Sequence, residues 1–253
     1  MRFVYPALIL LPFVLLWKHI FGPFLVRAKV SRPVNPTFDE IPDEHARELF
    51  PPSFFDSIRE LEALGFALVC HLSSGGVEQT HTVLSLMVNR ESRTQASIGS
   101  IVSLRPGAPS SQVNYVEFTS RFSDGHEIDT ANVSSVSVFY PDPERTAHKI
   151  PHLKDLADLY HVHEYVVRQH GSRTVLPDEG LEVRSFIQNV KHSQDKQVEL
   201  GFFFLDEKTQ RYRHTWRSAC RATWRSLWPL KSILLRQQER EGRRLASEAG
   251  RTS

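Results

Sequence analysis

The sequence predicts an α+β protein: an N-terminal transmembrane helix, an antiparallel β-meander packed with helices, and a C-terminal basic amphipathic helix. Three observations carry this. Residues 3–26 are almost wholly apolar. Residues 66–139 run in short alternating segments broken by turn residues. Beyond residue 211, Trp and Arg recur at helical spacing. The expected organisation is an anchor over 1–29, a Pro-rich connector over 30–52, an α+β body over 53–210 and a basic helix and tail over 211–253.

The anchor comes first. Twenty-four residues reach roughly 36 Å as a helix, enough for a hydrocarbon core of about 30 Å. Fifteen of residues 3–26 are Leu, Ile, Val or Phe, which outweighs Lys18. Trp17 suits the interface, and Lys18 lies where its stem can snorkel to the headgroups. Arg27 and Lys29 follow the apolar run, so the positive-inside bias favours a cytoplasmic body and a single-pass membrane location. A cleaved signal peptide, an interfacial anchor made of 3–17 and a buried core helix compete with this reading. The first lacks a small-residue cleavage site and the third lacks a polar face, while the second draws on the run 3–17 being short for a full span.

The connector holds Pro33, Pro36, Pro42, Pro51 and Pro52, which favour extended chain with one helical turn around DEHARELF. A helix then runs over 53–64, opened by Ser53 with Asp56 three residues on, and closed by Gly65. Strands are expected over 66–72, 79–88, 94–104 and 114–122, with one or two more over 127–139. Turns fall at Ser73–Gly76 and Asp124–Gly125, and a loop at Arg105–Pro109. Pro141-Asp142-Pro143 ends the sheet. Helices follow over 152–170 and 181–197, then a hairpin over 201–215 turning at Asp206–Thr209, then a basic helix bent at Pro229.

Charge is laid out unevenly under a net +2. Residues 1–32 carry five basic and no acidic side chains, residues 33–210 carry 15 against 26, and residues 211–253 carry 11 against three. An acidic body is flanked by two basic ends. In the last helix Trp216, Cys220, Trp224 and Trp228 make one stripe, and Arg217, Arg221 and Arg225 a second. Tryptophan beside arginine is what an interfacial helix needs to meet anionic headgroups. Trp17, Lys18, Arg27, Lys29, Arg217, Arg221, Trp224, Arg225 and Trp228 are therefore the expected membrane-interface residues. The competing arrangement packs the tryptophans on the body and turns the arginines to water.

Catalytic signatures are sparse. His161, His163 and His170 do not converge on one helix face closely enough for a metal, and H-E-x-x-H is absent. Cys70 and Cys220 make neither a disulfide framework nor a four-ligand zinc set. Cys70 reads as a small hydrophobe, and strand alternation points it away from His71. Asp124, Glu127 and Asp129 lack EF-hand spacing and read as a solvated tip. A helix–hairpin–helix order over 181–245 resembles a winged helix only loosely, and the acidic body repels phosphate. No metal, cofactor or nucleic acid is expected. The expected function is a membrane-anchored, non-enzymatic interaction or scaffolding domain, with an anionic bilayer and a protein as partners. The alternative is a membrane-bound hydrolase-like enzyme.

Overall fold

The computed structural model describes residues 4–75, 80–103 and 112–251, with side chains from Trp17 onward except at residues 49, 75, 80–81, 101–103 and 112–113. Gly76 and the Arg105–Pro109 loop lie outside the described residues. The chain divides into two compact units, each assembled from three separate segments.

The larger unit comprises Pro36–Ser135, Pro141–Lys191 and Arg236–Ser253. Its sheet contains β2 (Asp39–Ile41), β3 (Ala67–Gly75), β4 (Thr80–Asn89), β5 (Thr94–Ser103), β6 (Gln112–Phe122), β7 (Glu127–Ala131) and β8 (Arg145–Lys149) in that spatial order. The short β9 (Thr174–Val175) adds to β6. From β2 to β7 every neighbouring pair is antiparallel, which is the expected meander. Asp124-Gly125 makes the β6–β7 turn, with Gly125 at φ 89° and Asp124 Oδ1 accepting from the His126 amide at 3.0 Å.

Two expectations fail at the sheet's ends. Pro141-Asp142-Pro143 does not end the sheet, because β8 returns beside β7 in parallel register. The connector's expected helical turn at DEHARELF is α2 (Asp43–Leu49), but its extended part is more than a spacer, because it pairs into the sheet as β2. Helix α3 (Pro52–Ala63) also starts differently. Pro51 caps it without a side-chain bond, Pro52 takes the first turn, and Asp56 pairs with Arg59 rather than closing a capping box.

Register sorts the sheet's two faces. Met87, Ala96, Phe118 and Thr130 stand opposite one another on the first. Phe54, Ile58 and Leu61 of α3 and Leu159, Val162 and Val166 of α4 (Leu156–His170) close over that face as the main core. Asp155 caps α4 by accepting from the amides of Ala157 and Asp158, and Gly171 at φ 81° ends it. The second face carries Leu72, Leu84 and Leu86, packed by Val183 and Phe186 of α5 (Glu182–Glu199). Farther along it becomes polar: Glu117, Glu127 and Asp129 surround Arg145.

The smaller unit comprises Met1–Asn35, Val136–Tyr140 and His192–Leu235. Strand β1 (Ser31–Pro33) joins the expected hairpin, β10 (Phe203–Asp206) and β11 (Arg211–His214), in the order β1-β11-β10. Phe202, Phe203 and Tyr212 make its core with Val138, Phe139 and Tyr140. Helices α1 (Val4–Lys29) and α6 (Trp216–Ser226) pack on each other, and α7 (Leu230–Ala249) starts here after Pro229, its residues from Arg236 onward belonging to the larger unit.

The transmembrane expectation is overturned. Among the described residues no helix is long and apolar enough to cross a membrane. Within its described part α1 carries Lys18, His19, Arg27 and Lys29, and it buries Pro23 in the protein. The single-pass location falls with the span, and the cytoplasmic placement that depended on it falls too.

Candidate functional site

The most unusual surface lies in the smaller unit. Helix α6 has three stripes, as 100° per residue requires. Ser218, Ala219, Ala222 and Thr223 are buried. Trp216 and Trp224 form the next stripe, about half exposed at 48% and 49%. Arg217, Arg221 and Arg225 form the third. The competing arrangement of this helix is thus corrected: small residues pack inward, and the tryptophans do not.

The small stripe sets how closely α1 approaches. Gly22 of α1 faces Thr223, and a Cβ there would overlap its Cγ2. One residue on, Pro23 has no N–H to offer the His19 carbonyl four residues earlier. The Trp224 indole Nε1 donates to that carbonyl at 3.2 Å. Trp17 stacks on Phe21 with ring centroids 3.9 Å apart. Phe24 meets the edge of Trp216 at 4.9 Å, and the Arg27 guanidinium lies 4.7 Å from the Trp216 ring. Lys18 and Lys29 are exposed beside this row. Trp17, Ile20, Phe21, Phe24 and Leu25 are all at least 40% exposed, and Trp228, just past α6, is 63% exposed.

The arginine stripe has a neutral lining. Arg221 donates to the carbonyls of Val138 and Phe139 at 3.0 and 3.1 Å. Arg225 donates to the Ser137 carbonyl at 2.8 Å. Arg217 stands 5.7 Å from the Tyr140 ring. Arg32, which sequence reasoning missed, covers the Phe139 ring at 5.1 Å. Among the described residues, no ion pair involves Arg27, Arg32, Arg217, Arg221 or Arg225. Burial lowers the pKa of Arg32. Burial and then the charge of Arg221 lower that of Arg225. Burial, helped by Arg32, pushes His214 down to about 4. Three of the unit's four acids are engaged with other groups: Asp195 with Tyr212, Glu199 with Lys196 and Asp206 with Arg213. The whole unit carries 13 basic against four acidic side chains, net +9, and the larger unit is net −7.

No protein-family model, curated protein or solved structure matches the chain. Its chemistry is therefore read from its own geometry. The larger unit brings Ser85, His71 and Asp43 into line, with 2.6 Å from Ser85 Oγ to His71 Nδ1 and 3.3 Å from His71 Nε2 to Asp43. The order is inside out for catalysis. Ser85 is fully buried while the Asp43 side chain is 72% exposed, so a substrate reaches the acid and not the nucleophile. Burial pushes the Cys70 thiol up to about 12, with Glu40 and Glu182 adding to the shift, so it does not ionise at neutral pH.

His163 is a core residue. Ser120 and Thr130 hydroxyls hold its two nitrogens at 2.9 and 3.0 Å, and burial pushes it down to about 3. Asp124 at the β6–β7 tip bonds His170 at 3.0 Å and Ser172 at 2.8 Å. Among the described residues, no group of three His, Cys, Asp or Glu side chains could hold a metal.

Proposed function

We propose that this protein is a non-enzymatic docking protein whose smaller unit rests on an anionic phospholipid surface without spanning it. One observation carries the reading. A continuous apolar face from Trp17 through Phe24 to Trp216 and Trp224 is exposed in a unit of net +9, and arginines without carboxylate partners among the described residues border it. Tryptophan and phenylalanine gain by leaving water for the headgroup boundary. Each Lys or Arg near an anionic surface adds roughly 1 kcal/mol. A purely hydrophobic partner would leave the guanidiniums desolvated and uncompensated, and a highly charged one would leave the rings in water.

Sedimentation with vesicles tests this. The full chain is expected to pellet with phosphatidylcholine vesicles containing phosphatidylserine, and much less with phosphatidylcholine alone. Trp17→Ser combined with Phe24→Ser is expected to weaken pelleting at least roughly tenfold, with the folded circular-dichroism spectrum retained. Equal pelleting of the variant, or no pelleting on anionic vesicles, would overturn the reading.

A further inference from the structure

A cleft of about 490 Å³ opens in the larger unit where the end of β6 faces the start of α5. Its walls combine two features. The first is apolar. Val175 and Leu181 are 41% and 47% exposed, and among the described residues of this unit they are the large hydrophobic side chains that solvent reaches most. Both line this one cleft.

The second feature is a pair of guanidiniums, Arg121 and Arg184. Arg121 Nε donates to Glu127 at 2.8 Å and its Nη1 to Ser185 Oγ at 3.2 Å. Those bonds fix the plane of the fork and leave Nη2 without an acceptor among the described residues. Arg184 is exposed and has no carboxylate partner among them. Glu182, the nearest acid on the same helix, is buried and paired with Arg90. Asp178 also lines the cleft, so with Glu127 already on Arg121 the guanidinium of Arg184 is the one the lining leaves to an incoming anion.

We infer that this cleft binds a small amphipathic carboxylate: an acyl chain lying against Val175 and Leu181, its head on Arg121 and Arg184. A carboxylate matches the fork of a guanidinium and accepts two N–H bonds from it. The volume falls in the range of small-ligand sites, and the lining divides into an apolar part and a polar one, as an amphipathic ligand requires. A neutral lipid would leave Arg184 and the Arg121 Nη2 unused, and an inorganic anion would leave Val175 and Leu181 in water. This inference is independent of the docking reading, since every residue it uses lies in the larger unit.

Calorimetric titration of the full chain with octanoate tests it, with octanamide as the neutral match. Octanoate is expected to bind saturably, and octanamide at least roughly tenfold more weakly, since a hydrogen bond to a charged group is lost. Arg184→Gln is expected to weaken octanoate by a similar factor at unchanged melting temperature, because Arg184 is exposed. Leu181→Asp is expected to abolish binding. Equal affinity for octanoate and octanamide, undiminished binding by Arg184→Gln, or the absence of saturable binding would each overturn the inference.

Discussion

Buried histidines in this protein are held neutral, and that has a direction in pH. His163 has hydroxyl oxygens against both ring nitrogens and no exposed surface. Unfolded, it titrates near 6.5; folded, burial holds it to about 3. Between those values the unfolded chain binds the extra proton. Stability is therefore complete above pH 6.5 and falls as pH drops toward 3, by roughly 1.4 kcal/mol per pH unit from this one group. Urea unfolding at pH 7 and pH 4.5 should show a smaller loss for His163→Gln than for the unchanged chain; equal losses would contradict this account. The sequence marked His163 as a poor metal ligand from its helix position alone. It could not show the two hydroxyls, because Ser120 and Thr130 lie on different strands, 43 and 33 residues away. Trp224 is similar. Its place on a tryptophan stripe was legible, but its bond to the carbonyl that Pro23 leaves without a helix donor joins residues 205 apart.

At the scale of elements, the α1–α6 pair depends on closeness. Gly22 against Thr223 is where the two helices leave no room for a side chain. Gly22→Leu should separate them and destabilise the smaller unit by about 1–3 kcal/mol, the usual range for overpacking. Thermal unfolding would read this as a lower midpoint, and an unchanged midpoint would show that the helices slide apart freely. The strands were legible wherever alternation was clean: NYVEFTSRF places Val116, Phe118 and Phe122 in the core as its pattern requires. β8 was not, because RTAHK is short and polar, and its pairing with β7 is parallel, so no hairpin turn announces it. β2 is three residues, too few for a period. The apolar run of α1 was legible as apolar. What lies against its described part was not, because that partner is a small-residue stripe with no hydrophobic pattern of its own.

For the whole molecule, the net +2 hides a division that follows the fold. The smaller unit carries +9 and the larger −7. Contiguous segments of sequence already showed basic ends around an acidic middle. Only the fold shows that Val136–Tyr140, an uncharged stretch from that middle, belongs with the basic ends. If charge draws the smaller unit to anionic vesicles, raising salt from about 0.05 to 0.5 M shortens the screening length from roughly 14 to 4 Å and should release most of the bound protein. Binding indifferent to salt would leave the apolar face as the sole attraction. One feature also bears on biosynthesis. His19 and Trp224, joined across α1 and α6, are 205 residues apart in the chain. At roughly 5–20 residues per second, a ribosome needs about 10–40 s to deliver the second helix after the first. For that interval the earlier helix is without α6, and its exposed apolar residues stay in water until the second helix emerges.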